Sequence, residues 1–173
     1  MNNQKIILTT IFQNPTTPFY IRELARKTRL HPNTIITSIK KLQKQNLIII
    51  KKHKHITEIQ ANPENSEFTI QKKLTNLSAI YNSGLIEYLL KTFSPKSISL
   101  IGSYSRGEDI ENSDVDLVII TNNPPKSEPD LEQFEKRLKK KIHPIFTTYK
   151  KMSEEFYINM INGLILQGAL EKK

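Results

Sequence analysis

Apolar residues in the first sixty positions follow helical spacing and then strand spacing. From Lys5 to Phe12 the apolar side chains recur three and four positions apart, which is typical of one helix face, and Asn14-Pro15 ends the pattern. Pro32 is well placed near the first position of a later helix, and Asn46 closes that helix. The pattern predicts helices at 5–12 and 20–28, a turn at 30–34, and a third helix that follows the turn to about residue 45. Strands are predicted at 47–52 and 55–59.

The rest of the chain mixes the same two periodicities after a polar linker at 62–66. Helical spacing returns from Phe68 to Leu90, and this stretch either bridges two modules, pairs two subunits or packs on its own domain. Further strands are predicted at 97–101, 115–121 and 142–147, with helices at 131–141 and 154–161. Helices and strands in this arrangement predict the α+β class.

Charge divides the chain more sharply than hydrophobicity does. Residues 1–60 contain 11 Lys or Arg and 2 Asp or Glu, whereas residues 61–173 contain 15 of each, so the net charge of +9 lies wholly in the first third. This segregation indicates two modules, one of which faces a polyanion, although a solvated basic face has the same composition.

The absence of cysteine excludes disulfides and thiolate metal sites. Without a signal-like or membrane-spanning run, we expect a soluble cytoplasmic protein with no membrane contact.

Two carboxylates and a glycine-serine turn give the clearest chemical signal. Asp114 and Asp116 are one residue apart in an apolar run, so in a strand they project to one face, about 7 Å apart. Neighbouring carboxylates repel each other and are costly to bury without a cation. Magnesium is usually held by one or two carboxylates, with water and substrate phosphates completing its shell. The turn at Gly102-Ser103 offers backbone N–H groups to such phosphates.

These motifs together resemble the minimal branch of the DNA polymerase beta-like nucleotidyltransferase superfamily. The likeness rests on Ile101-Gly102-Ser103, on Ser105-Arg106-Gly107 and on Ser113-Asp114-Val115-Asp116, at the spacing of the family signature. It covers about residues 93–168 and implies a small mixed sheet with flanking helices. It also implies that Asp114 and Asp116 hold magnesium and the triphosphate of a nucleoside triphosphate, and that Gly102 and Ser103 bind terminal phosphates.

Two residues near the signature have open roles. Arg106 either neutralises developing phosphate charge or pairs with Glu108, Asp109 or Glu111 on the surface. Gly107 is best explained as a glycine at the end of a short helix, where φ is positive.

The chain departs from the family at the third carboxylate, which is expected near His143 on the next core strand. No Asp or Glu lies between Glu135 and Glu154. His143 is therefore a candidate general base and catalytic residue beside Asp114 and Asp116, since an imidazole titrates near neutral pH. The alternative is a domain that binds nucleotide with little or no catalysis.

The first sixty residues resemble the winged helix-turn-helix of prokaryotic regulators. The likeness rests on Ile21-Arg22-Glu23-Leu24-Ala25, on Leu30 to Ile35, on Leu42 and on Asn46-Leu47-Ile48. It implies a third helix in the major groove of double-stranded DNA and a wing along the backbone. Ile35, Ile39 and Leu42 then face inward. The residues suited to base edges and phosphates are Asn33, Thr37, Lys40, Lys41, Lys44, Lys51, Lys52 and Lys54.

We therefore expect a winged helix at 1–62, a helical linker or dimer element at 63–92, and a nucleotidyltransferase-like domain at 93–173. Three functions fit this organisation. The first is a DNA-tethered enzyme that transfers a nucleoside monophosphate from Mg-NTP. The second is a transcription regulator that senses nucleotide without turnover. The third is an antitoxin that represses its own operon and contacts a helical toxin. A homodimer is a further expectation, because winged-helix regulators commonly bind paired half-sites.

Overall fold

The computed structural model describes residues 3–54 and 56–171. The chain divides into two compact units, Met1–Lys72 and Lys73–Lys173, and the boundary falls inside helix α4, Ser66–Ser83. The fold is mixed α+β with two small sheets. In the described part of the chain, no helix is both long and apolar enough to span a membrane.

Over its described residues, the first unit contains helices α1 to α3, the first part of α4, and a three-stranded antiparallel sheet with strand order β1-β3-β2. Its elements are α1 Asn3–Gln13, β1 Phe19–Tyr20, α2 Ile21–Thr28, α3 Pro32–Lys44, β2 Ile48–Lys52 and β3 Thr57–Ala61. The predicted helices and hairpin strands are confirmed, with ends shifted by a few residues. His55, where the second hairpin strand was predicted to begin, lies outside the described residues.

Two features of the first unit concern the ends of its helices. Tyr20, predicted as the first residue of a helix, instead belongs to β1 and pairs with Glu58 of β3. A two-residue strand is too short to show an alternating pattern, so only its partner reveals it. The predicted inward face of α3 is confirmed, because Ile35, Ile39 and Leu42 are all buried. Asn46 follows this helix with a φ of 56°, a left-handed conformation that Asn tolerates.

The second unit contains a four-stranded sheet with order β6-β5-β4-β7. Strands β5 and β6 are parallel, and the other pairs are antiparallel. The elements after α4 are α5 Leu85–Phe93, β4 Ser97–Ile101, α6 Gly102–Arg106, β5 Val115–Ile120, α7 Glu132–Leu138, β6 Ile142–Thr147, a 3₁₀ turn Tyr149–Lys151, α8 Glu154–Ile161 and β7 Leu164–Gly168.

Two helix predictions in this unit need correction. The helical stretch predicted from Phe68 to Leu90 is two helices, because Gly84 adopts a φ of 81° between α4 and α5. The helix predicted to reach Lys141 ends at Leu138, since Lys139 takes a left-handed φ of 55°. Both breaks are set by backbone conformation rather than by a change in hydrophobic spacing.

Strand β5 is the centre of the second unit and carries the motif residues at its start. Val115, Leu117 and Ile119 belong to the main core, whereas Val118 and Ile120 pack with Met152 and Met160 on the opposite face. A strand covered on both faces is a continuous apolar run, as the sequence of β5 is. Strand β4 is antiparallel to β5, and β6 is parallel to β5. The C-terminal end of β4 and the N-terminal ends of β5 and β6 therefore lie at the same end of the sheet.

Candidate active site

The strand register brings three of the predicted site residues together. Asp116 of β5 lies opposite Ile101 at the end of β4, and it lies opposite His143 at the start of β6. Gly102 directly follows Ile101 and begins α6. Gly102, Asp116 and His143 are therefore neighbours although 41 residues separate the first from the last.

The contact between Gly102 and Asp116 requires glycine. Gly102 has a φ of +73°, a conformation that other residues rarely adopt. A Cβ atom on this residue would lie 2.6 Å from Oδ2 of Asp116, so the carboxylate would have to move away. The glycine thus lets the carboxylate pack against the backbone that carries Ser103.

The other oxygen of the same carboxylate contacts His143. Nδ1 of the imidazole lies 3.2 Å from Oδ1 of Asp116, and the two side chains are 65% and 33% exposed. The family pattern predicts a carboxylate near this position, and the chain has none there. The structure shows an exposed imidazole beside Asp116 instead.

Asp114 lies next to the same strand but in a different environment. It is exposed and precedes β5, whose ladder with β6 begins where the N–H of Val115 donates to the carbonyl of Lys141 at 2.8 Å. Asp114 also lines a cleft of about 480 Å³ that includes Lys140 and Lys141. The hydrogen bond that Lys141 donates to Glu135 raises the pKa of Lys141, and the charge of Asp114 contributes a smaller part of the same shift.

Arg106 is paired on the surface in this structure. Its Nε lies 2.6 Å from Oε2 of Glu108, and both side chains are 55% exposed. This is the surface pairing considered from the sequence. The interpretation of Gly107 is confirmed, because this residue ends α6 with a φ of 76°.

Two carboxylates of the site are of the chemical type that a magnesium ion takes as ligands. Asp114 and Asp116 supply the hard oxygen ligands that this ion prefers, and phosphate oxygens and water normally complete its shell. Over residues 3–54 and 56–171, no group of three His, Asp or Glu side chains is arranged to hold a metal by itself. The nearest additional donor to Asp116 is the imidazole of His143, a softer ligand that magnesium rarely uses.

The residues predicted to contact DNA are all exposed in the first unit. Asn33 and Thr37 lie one turn apart on α3, and the hydroxyl of Thr37 donates to the carbonyl of Asn33 at 3.0 Å. The lysines of this set are Lys40, Lys41 and Lys44 on α3, Lys51 and Lys52 on β2, and Lys54 in the following turn.

One cluster near the site was missed by sequence reasoning. Asp109, considered there as a surface partner of Arg106, is only 2% exposed and accepts a hydrogen bond from Asn76. Its other oxygen lies 3.5 Å from Nζ of Lys140. A lysine within Lys139-Lys140-Lys141 gives no local sign of burial, so only the tertiary structure identifies it.

Comparison with known proteins gives a family match in the second half of the chain. The family model described as "Nucleotidyltransferase domain" matches residues 83–166, a range that includes Gly102, Ser103, Asp114, Asp116 and His143. No curated protein and no solved structure matches the chain. Domains of this kind commonly use a divalent metal such as magnesium. The match supports a nucleotidyltransferase domain over residues 83–166 and, with it, a role in nucleotidyl transfer or nucleotide binding.

Proposed function

We propose that this chain is a DNA-binding protein whose nucleotidyltransferase domain binds Mg-NTP and transfers a nucleoside monophosphate to an acceptor. The observation that carries the proposal is the register of β4, β5 and β6. This register brings a glycine-serine turn, a carboxylate and an imidazole together at one end of the sheet. All three lie within the segment that matches the family model.

The nucleotide is held by the residues around Asp116. Asp114 and Asp116 are the ligands for magnesium, which, when bound, neutralises charge on the triphosphate. Ser103 and the N–H groups after Gly102 bind terminal phosphates. Arg106 reaches the phosphates after releasing Glu108, an exchange that costs little because exposed ion pairs are weak.

His143 is the candidate general base of this transfer. With Nδ1 directed at Asp116, the imidazole presents Nε2 to an acceptor hydroxyl. The acceptor oxygen attacks the α-phosphorus, its proton passes to Nε2, the bond from the α-phosphorus to the bridging oxygen breaks, and pyrophosphate leaves. Asp116 orients the imidazole, as carboxylates commonly do for catalytic histidines.

A second candidate function is favoured by the position of His143, where the family pattern has a carboxylate. If the imidazole of His143 does not replace the expected carboxylate in catalysis, the domain binds nucleotide without turnover. The protein is then a transcription regulator that senses nucleotide.

The first unit is proposed to be a winged helix-turn-helix. Its support is the order of α2, α3 and the β2–β3 hairpin, together with the eight exposed polar and basic residues on α3 and the hairpin. In this arrangement α3 enters the major groove, and Lys51, Lys52 and Lys54 contact phosphates.

A homodimer and a cytoplasmic location stay predictions. Sedimentation at micromolar concentration tests whether the protein is a homodimer.

Label position in the nucleotide separates the candidates. The protein is incubated with magnesium and each NTP, labelled at the α-phosphate in one series and at the γ-phosphate in another, and protein, nucleic acid and small-molecule fractions are analysed. Transfer of the α-label alone supports the transferase. Magnesium-dependent thermal stabilisation without transfer supports the sensor. If the wild-type protein shows neither, both candidates are wrong.

A further inference from the structure

A buried polar cluster lies under the loop that joins α6 to β5. We call Asn76, Asp109 and Lys140 the Asp109 cluster. The amide of Asn76 donates to Oδ1 of Asp109 at 2.7 Å and to the carbonyl of Tyr104 in α6 at 3.1 Å. Nζ of Lys140 lies 3.5 Å from the other oxygen of Asp109, and the side chains of Lys140 and Asp109 are 7% and 2% exposed. The charge of Asp109 also adds to burial in raising the pKa of the Tyr104 phenol.

Lys140 also holds the loop backbone directly. Its ammonium group donates to the carbonyl of Ile110, and to that of Glu111 at 3.1 Å. The loop closes on itself one step later, because the N–H of Ile110 donates to Oγ of Ser113 at 2.9 Å and the N–H of Ser113 donates to the carbonyl of Ile110 at 3.1 Å. The last residue of this closed turn is the immediate neighbour of Asp114.

Asp114 needs such support more than Asp116 does. Asp116 lies within β5, with β4 on one side and β6 on the other. Asp114 precedes the strand and is exposed. The first hydrogen bond of the β5–β6 ladder is made by the next residue, Val115, through its N–H. The backbone of Asp114 therefore lies between β5 on one side and the loop that Lys140 holds on the other.

We propose that Asp109 and Lys140 are positioning residues that set Asp114 relative to Asp116 for magnesium-nucleotide binding. Neither residue contacts the ion or the nucleotide. Both act through the carbonyls of Ile110 and Glu111 and through the turn that ends at Ser113. This inference rests on the proposed function, since it concerns how the same two carboxylates are aligned. Outer contacts of this kind typically change metal affinity about 10- to 100-fold when they are removed.

The first test measures the magnesium requirement of nucleotide binding. In Lys140→Met, the magnesium concentration that gives half-maximal thermal stabilisation at fixed NTP should rise about tenfold or more. Lys140→Arg keeps the charge and the donors and should restore most of the affinity. Lys136→Met removes an exposed lysine of α7 that pairs with Glu132 and should leave the requirement unchanged. An unchanged requirement in a folded Lys140→Met protein would overturn the inference.

The second test needs no ligand. Amide hydrogen exchange at residues 108–114 should be faster in Lys140→Met, while exchange at 98–100 in β4 stays as in the wild type. Asp109→Asn serves the same purpose where Lys140→Met does not fold, because it keeps an acceptor for Asn76 and removes only the charge. Unaltered exchange in the loop overturns the inference while the proposed function stands. Absence of magnesium-dependent stabilisation in the wild-type protein instead overturns the proposed function and, with it, the role in ligand alignment.

Discussion

The two units differ in where their chemistry lies. In the first unit, the eight residues proposed to contact DNA are all exposed on α3 and the β2–β3 hairpin, and residues 1–60 carry the whole net charge of +9. Residues 61–173 carry 15 basic and 15 acidic side chains. In the second unit, Gly102, Asp116 and His143 become neighbours only through strand pairing. A charged binding surface is thus visible in composition, whereas an active site depends on register. This difference is tested by substitutions that affect the function of one unit and not the other, and by substitutions that disrupt the contacts around Asp116.

The largest expected effect comes from removing both motif carboxylates. Asp114→Asn with Asp116→Asn should abolish the magnesium-dependent rise in melting temperature with NTP, because no carboxylate pair remains for the ion. DNA binding should be retained, since the basic residues lie in the other unit. Glu154→Gln with Glu155→Gln, which removes two carboxylates from α8, is the control. Retained magnesium-dependent stabilisation in the first variant would contradict the site.

The converse change removes charge from the proposed wing. Replacing Lys51, Lys52 and Lys54 with Ala should weaken binding to all duplex sequences and should flatten the salt dependence by about 0.9 in log–log slope for each phosphate that the protein no longer neutralises. Nucleotide stabilisation should not change. The matched control replaces three exposed lysines of the second unit, Lys126, Lys150 and Lys151. An equal weakening in both triple variants, measured by fluorescence anisotropy across salt concentrations, would mean that DNA responds only to the net charge.

Gly102→Ala breaks the register-dependent site at its tightest contact. The new Cβ would meet Oδ2 of Asp116 at 2.6 Å, so the carboxylate must move and nucleotide stabilisation should fall sharply. Gly107→Ala is the control because its φ of 76° is similar. Both variants should lose about 1–2 kcal/mol of unfolding free energy from left-handed backbone. Only Gly102→Ala should lose nucleotide binding, and equal binding by the two variants would argue against packing of Asp116 on Gly102.

Single substitutions on the proposed recognition helix α3 should change sequence discrimination more than they change overall DNA affinity. Asn33→Ala or Thr37→Ala should each reduce discrimination between preferred and altered DNA sites by roughly 1–3 kcal/mol for each base that the side chain no longer reads, with little change in salt slope. Gln43→Ala, at another exposed position of α3, is the control. Binding-site selection followed by titration measures the difference. Preserved sequence preference in both variants would place the reading residues elsewhere.

The smallest predicted effect is a pH dependence in the second unit. Hydrogen bonds from Lys141 and from the N–H of Ile142 hold the pKa of Glu135 below its ordinary value of 4.5. A depressed folded pKa gives stability that is complete above the unfolded pKa and is lost as pH falls through the folded one. Wild type should therefore exceed Glu135→Gln in unfolding free energy at pH 7, and the difference should shrink below about pH 4.5. Urea unfolding between pH 3 and pH 7 measures it, and a constant difference would contradict the shift.

Local chemistry made several elements of this fold predictable. Pro32 and Asn46 bracket α3, the two runs on either side of the basic segment 51–54 predict the hairpin, and the apolar run around Asp116 predicts strand β5. The breaks at Gly84 and Lys139 were missed because hydrophobic spacing continues across them. Strand β1 was missed because two residues acquire strand geometry only by pairing with β3.

The sequence by itself determined the charge asymmetry, most of the secondary structure and the identity of the motif residues, because each depends on neighbours within a few positions. Only the tertiary structure decided which of those residues meet. The order β6-β5-β4-β7 puts His143 beside Asp116 through a parallel pairing across a long crossover, and burial turns Asp109 and Lys140 from apparent surface charges into supports for a loop. Long-range pairing and desolvation are properties of the whole packed chain, so no local pattern encodes them.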